Sequence, residues 1–335
     1  MFKKLIKNYV GMGNILKVKK IINPFKIEEI IVDIAASCNA QCPFCPRVFM
    51  PEERSKGFMT LELYEKILDD AKNNNIKKLR LYSTAEPTMH PKFDMIIDIA
   101  KEKGFEISLS TNASLLHKYF DSVGKIDYLQ YSIEGWDKES YEKYRYPLKF
   151  EKVYQNIKEF YEYASKQSKS PKISTNLLLT TQTNIKEYVE LWSDYIGDIN
   201  IHFMYDPVKF EDGKFKSISL DTENEYFKLD KQTKDFFCSY PFDILTVAFD
   251  GKVALCCDDF AAELNIGNLS HSSIKEVYSS KEMDKIRNQF YTQKLDLCKE
   301  CSRFTKPKKE DVGLIQAQIV SLEVGQQNKI KFNYL

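Results

Sequence analysis

The 335-residue sequence lacks an excess of charge of either sign: 49 Lys and Arg stand against 48 Asp and Glu, a net +1. Nothing in that balance argues for a nucleic-acid partner. It also lacks an apolar run approaching the length of a membrane span, and nothing at its start follows a signal-peptide pattern. A soluble, cytoplasmic, globular protein is the expectation, long enough for one large domain and a small one. Eight cysteines in such a chain point to reduced thiols used as ligands rather than to disulfides.

Three of those thiols fall within eight residues, Cys38-Asn39-Ala40-Gln41-Cys42-Pro43-Phe44-Cys45, spaced C-x3-C-x2-C. Zinc sites and most ferredoxin loops close their metal with four protein ligands, whereas three cysteines can hold three irons of a [4Fe-4S] cube and leave the fourth open to a ligand or cosubstrate. The competing reading is three buried or zinc-bound cysteines. The preceding run Glu29-Ile30-Ile31-Val32-Asp33-Ile34-Ala35 is apolar and β-branched, which predicts a buried strand delivering the thiols to its C-terminal end, where α/β folds bind ligands. With Phe44 just before the last Cys, the stretch resembles the radical S-adenosylmethionine (SAM) superfamily.

Beyond it the chain alternates short apolar strands (78–82, 106–110, 128–133, 173–180, 199–204) with amphipathic helices (from Thr60, then near 92–103, 114–121, 150–167 and 184–194). Repeated βα units predict a parallel sheet. The resemblance implies that this sheet is a partial (β/α)6 TIM-like barrel over residues 26–206. Before it, residues 1–25 carry Lys3, Lys4, Lys7, Lys17, Lys19 and Lys20 with no acid, interleaved with apolar residues. This segment reads as a basic helix on the outside of the barrel, with peripheral membrane contact as the competing reading. A polar connection (207–235) leads to a second, small α+β domain with a tail (236–335), opened by a hairpin at Asp250-Gly251. Residues 310–335 alternate weakly, and the pattern leaves strands or a tail open.

Strand by strand, the resemblance implies a SAM site. Glu86-Pro87 matches the family's Gly-Gly-Glu-Pro, with Thr84 and Ala85 where the glycines usually stand. Thr111-Asn112 resembles its Thr-Asn-Gly turn, and Ser132-Ile133-Glu134-Gly135 its Ser-x-Asp/Glu-Gly. Arg145 stands where members often pair the SAM carboxylate. Phe44, Glu86, Thr111, Ser132 and Arg145 are therefore the expected cofactor-binding residues, and Cys38, Cys42 and Cys45 the expected metal ligands. Glu134, His202 and Asp206 are candidate acids or bases with no role assigned.

Cys238, Cys256, Cys298 and Cys301 form a second set, spaced x17, x41 and x2, with no cysteine after 301. The spacing resembles the SPASM and shorter "twitch" extensions of radical SAM enzymes, which implies an auxiliary [4Fe-4S] cluster. Four thiols also suit a tetrahedral zinc site. Cys257 reads as a neighbour of the ligands, with its exchange for Cys256 as the alternative.

The resemblance implies reductive cleavage of SAM to a 5′-deoxyadenosyl radical, hydrogen abstraction from a substrate C–H, and a flavodoxin- or ferredoxin-type electron donor. The first strand begins by residue 29, too early for a leader-recognition domain, so a small, carbohydrate-like substrate is expected, oxidised or epimerised. Peptide modification and a non-catalytic cluster- or zinc-binding relative are the alternatives.

Overall fold

In the computed structural model, which describes residues 27–204, 206–219, 225–231, 238–301 and 305–332, the β-branched run forms β1 (Glu29–Val32), its last three residues buried. The basic segment predicted over residues 1–25 lies outside the described residues. Burial on both faces is what a continuous apolar strand requires, and it comes from helices packed over a parallel sheet. The first helix, α1 (Leu61–Asn73), starts at Thr60, whose side chain accepts from the Leu63 N–H, and buries Tyr64, Ile67, Leu68 and Ala71, one stripe at helical spacing.

The alternation continues through β2 (Lys78–Leu81), α2 (Phe93–Glu102), β3 (Glu106–Thr111), α3 (Phe120–Gly124), β4 (Tyr128–Tyr131), α4 (Lys138–Tyr144), α5 (Phe150–Ala164), β5 (Lys172–Leu179), α6 (Ile185–Trp192) and β6 (Asp198–Phe203). The predicted helix at 114–121 is instead a 3-10 turn at Leu116–Lys118 followed by the short α3. Helix α4 went unseen in the sequence. It is only seven residues long, yet its start carries a capping box in which Asp137 and Ser140 satisfy each other's backbone N–H groups.

Strands β1 to β6 lie side by side in chain order, all parallel. This is the expected partial barrel, and every strand's C-terminal end meets the same rim. Within the stretch read as a polar connection, β7 (Val208–Glu211) and β8 (Lys214–Ser217) form a hairpin, followed by β9 (Leu229–Lys231). Its turn is Asp212-Gly213, both at positive φ, a hairpin signal that the surrounding lysines and acids obscured.

After α7 (Tyr240–Asp243), the hairpin predicted around Asp250-Gly251 forms from β10 (Ile244–Val247) and β11 (Val253–Ala254). It does not stand apart: β10 pairs in parallel with β1 and so extends the barrel sheet. Helices α8 (Ile274–Tyr278), α9 (Lys281–Tyr291) and α10 (Asp296–Glu300) and strand β12 (Thr305–Pro307) complete this region, β12 pairing with β9. The last segment, which weak alternation left open, is mostly helical: α11 (Lys309–Val320) and α12 (Val324–Gln327), then β13 (Ile330–Lys331), parallel to β6 at the far edge.

Gly135 sits where the chain leaves β4 for α4. Its φ is +112°, and a Cβ there would lie 2.4 Å from the backbone N and Cα of Tyr141. Gly104, at φ +82°, has nothing within 4 Å. Gly135→Ala is therefore expected to lose about 3 kcal/mol, the upper end for a point substitution, and Gly104→Ala only about 1 kcal/mol of backbone strain. Urea unfolding of the two variants beside wild type checks the difference.

Candidate cofactor and metal site

The loop that follows β1 crosses the rim held by polar bonds. Arg47 donates through Nη1 to the carbonyl of Ala36 and through Nη2 to that of Ser55 at 2.6 Å, bracing the loop from behind. Asn39 donates to Ser114 Oγ and accepts from Asn112 Nδ2, both at 2.9 Å, and the Gln41 N–H donates to the Tyr146 carbonyl at 2.6 Å. The three thiols are thereby fixed against the ends of β3 and α4. Cys38, Cys42 and Cys45 line one cavity of about 470 Å³. Burial, then the Glu86 carboxylate, pushes the Cys38 thiol up to about 12, and burial likewise raises Cys42 and Cys45. Such thiols keep their protons until a metal displaces them.

Of the five expected cofactor-binding residues, Glu86, Thr111, Ser132 and Arg145 line this same cavity. The Glu86 carboxylate is only 2% exposed. Its Oε1 accepts from Thr88 N at 3.1 Å, Thr88 Oγ1 at 2.5 Å and Thr111 Oγ1 at 2.7 Å, and its Oε2 from the Asn112 N–H at 2.7 Å. Burial raises its pKa while these donors oppose the rise. Glu86 thus organises the rim from within the protein. Ser132 shares a 2.9 Å hydrogen bond with Ser110.

Arg145 is paired with the buried carboxylate of Glu134, donates to Cys42 Sγ at 3.4 Å, and lies 5.2 Å from the centre of the Phe44 ring. Burial acts against its charge, but Glu134 and then Cys42 outweigh it, so the guanidinium stays protonated. Its Nε is buried without a hydrogen-bond partner, an orphan donor in a cavity-lining residue that suits a carboxylate ligand. Phe44 does not line the cavity; its ring supports Arg145 instead. Sequence reasoning missed Arg47, Asn39 and Asn112, although Asn39 and Asn112 lie inside the motifs that were read.

In the second set, Cys238 and Cys298 pack against Phe242 and Phe290. Cys301 Sγ donates to Asp258 Oδ2 at 3.4 Å, and after burial the neighbours that raise the Cys298 thiol are Cys238 and Asp258. Asp258, two residues past Cys256, is an acid the cysteine spacing did not flag. Among the described residues no group of three or more His, Cys, Asp or Glu is drawn tight enough for a single metal ion.

The buried Glu134–Arg145 pair sets a stability test. Arg145→Met strands a carboxylate with no compensating charge and is expected to lose roughly 3–5 kcal/mol. Glu134→Gln/Arg145→Met removes both charges and recovers most of that loss, as urea unfolding of the cluster-free chain would measure.

Residues 32–194 match the radical SAM superfamily, and residues 238–302 match SPASM, an iron-sulfur cluster-binding domain. Over 91 residues the chain is 34% identical to the tungsten-containing aldehyde ferredoxin oxidoreductase cofactor-modifying protein of Pyrococcus furiosus, a stretch covering 27% of this chain and 25% of that one. The chain spans only a quarter of that curated relative and 44% of a putative glycyl-radical enzyme activating enzyme of Methanocaldococcus jannaschii. Its fold is similar to Streptococcus suis SuiB bound to precursor peptide SuiA, with TM-score 0.62 and 15% identity over 86% of this chain and 74% of that one. BtrN in complex with AdoMet and 2-DOIA gives TM-score 0.52 and 16% identity over 83% and 94%. The chain therefore carries a radical SAM domain over residues 32–194 and a SPASM iron-sulfur cluster-binding domain over residues 238–302, and with these domains come its cofactors: SAM, a [4Fe-4S] cluster and an auxiliary iron-sulfur cluster.

Proposed function

We propose that this protein takes hydrogen from a C–H bond of a small, neutral, carbohydrate-like substrate, leading to dehydrogenation or epimerisation. Cys38, Cys42 and Cys45 would hold a [4Fe-4S] cluster, which would supply the one-electron chemistry of reductive SAM cleavage. Glu86, Thr111, Ser132 and Arg145 would line the SAM site, where Arg145 would offer its guanidinium to a carboxylate. Cys238, Cys256, Cys298 and Cys301 would hold the auxiliary cluster, which in a dehydrogenation would supply an electron acceptor. A flavodoxin- or ferredoxin-type protein is the proposed electron donor.

The observation that carries the substrate class is the chemistry of the concave face. Along β3 to β6 fully buried side chains alternate with half-buried ones. The half-buried set, in which Ser110 and Ser132 line the cavity, is mostly hydroxyls and carboxamides, with Leu178 and His202 also in it. In the sheet Ser110 stands beside Gln130, Gln130 beside Ser174, and Asn176 beside Asn200. Hydroxyls and carboxamides both donate and accept, which matches the hydroxyls of a polyol and offers no fixed charge to a peptide's ions. Asn176 Oδ1 is buried without a partner, an acceptor suited to a substrate hydroxyl. The similar folds include one solved with a precursor peptide and one with AdoMet and 2-DOIA, so fold does not choose between the classes; this polar face supports the second.

Anaerobic reconstitution is expected to load about eight irons, falling to about four in a Cys38/Cys42/Cys45→Ala variant. With dithionite, 5′-deoxyadenosine should form in the wild type alone. Its absence from a fully loaded protein would favour a non-catalytic relative, and roughly one zinc in place of four irons would remove the auxiliary acceptor. Neutral sugars and polyols should then raise 5′-deoxyadenosine formation above the uncoupled rate, and Asn176→Ala should reduce that stimulation about tenfold. Stimulation by peptides instead would reverse the substrate assignment.

A further inference from the structure

The loop after β2 carries Thr84 and Ala85 where the family's glycines usually stand, and the fold supplies a reason the exchange is tolerated. Thr84 donates twice to one carboxylate, its backbone N–H to Asp33 Oδ1 at 3.3 Å and its hydroxyl to Asp33 Oδ2 at 3.0 Å. Asp33 lies one residue beyond β1 and is 8% exposed; its own N–H donates to the Val247 carbonyl of β10 at 2.8 Å. Ser83, Thr84 and Ala85 line the same cavity as the three cysteines, whereas Asp33 lies behind them and outside the lining. Glycine lets a backbone approach a ligand closely but gives the fold nothing to grip. A threonine whose hydroxyl and N–H are both anchored gives close approach with a fixed position.

We propose that Asp33 is a positioning residue for SAM, holding the Ser83-Thr84-Ala85 wall, through Thr84, in the place where the methionine part of SAM packs. This rests on the assignment of SAM to this cavity. The bridge ties the barrel's first strand to the rim loop of its second, so the wall moves only with the sheet. Burial raises the Asp33 carboxyl from its ordinary value to about 6, opposed by the Thr84 hydroxyl and N–H, then by Arg47, the charged group acting on it, and by the Ser83 N–H. A raised folded pKa means that the ionised form, which accepts both Thr84 bonds, is lost as pH falls through about 6. The neutral acid keeps the bridge in the other sense, its carbonyl oxygen accepting the Thr84 N–H and its O–H donating to the Thr84 hydroxyl, so SAM binding should hold across that interval.

The test is the SAM dissociation constant of the anaerobically reconstituted full chain, by equilibrium dialysis with labelled SAM, with iron counted for every variant. Asp33→Ala is expected to raise it about tenfold, about 1.4 kcal/mol, at unchanged iron. Thr84→Val should weaken binding in the same direction, and Asp33→Ala/Thr84→Val should be little worse than Asp33→Ala, since both break one bridge. In Asp33→Asn the amide oxygen can accept from the Thr84 N–H and the amide nitrogen can donate to its hydroxyl, so affinity is retained near pH 7.5. Wild-type affinity and that of Asp33→Asn should both stay level between about pH 7 and 5.5, since the protonated carboxyl and the amide can make the same two bonds to Thr84. Asp33→Ala binding SAM as tightly as wild type at full iron, or losses that simply add in the double variant, would overturn the proposal. If Asp33→Ala fails to fold, Thr84→Val decides, and wild-type affinity there overturns it equally. A wild-type protein that binds no SAM would sink the cavity assignment itself.

Discussion

The carboxylate of Glu86 is almost wholly withdrawn from water, and the four donors around it decide where the ends of β2 and β3 stand. A buried acceptor left short of donors is penalised by its full desolvation, so once Thr88, Thr111 and Asn112 are in place the rim has little freedom to rearrange. Asn112 carries the constraint onward to Asn39, and so to the loop that bears the three cysteines. The apolar core holds the sheet together, but the site above it is aligned by polar bonds, whose directionality packing cannot provide.

The same economy governs the charges near the cavity. Glu134 and Arg145 are each nearly inaccessible, and neither would be tolerated there alone. Their pairing lets a guanidinium persist beside Cys42 and above Phe44 while one nitrogen remains unsatisfied. The aromatic ring before the last cysteine therefore acts through the arginine it supports, a role that sequence position alone does not separate from direct contact with a cofactor.

What the sequence made legible was whatever is local. Cysteine ligands cluster along the chain because a loop must wrap its metal, and the 3.6- and two-residue periods that mark helices and strands need only a few neighbours to show. The six parallel strands and the hairpin at Asp250-Gly251 were readable for that reason. The partner of β10 was not, since four apolar residues carry no record of the strand beside which they lie. The Asp33–Thr84 and Glu134–Arg145 contacts join residues that no spacing rule connects. Helix α11 misled the reading because Leu314 and Val320 are exposed while Val312 and Ile315 are buried, which leaves no clean apolar stripe.

The pairing of β1 with β10 carries a temporal meaning. Glu29 finds its partner at Ile244, so one side of the first strand stays without its neighbour until most of the chain has been synthesised. A nascent barrel therefore spends the interval with an apolar strand edge exposed, the kind of surface that recruits other chains. Contacts so distant in sequence also slow the search for the native topology. The protein's hazard during biogenesis lies at its first strand, and relief arrives with the segment between Cys238 and Cys256.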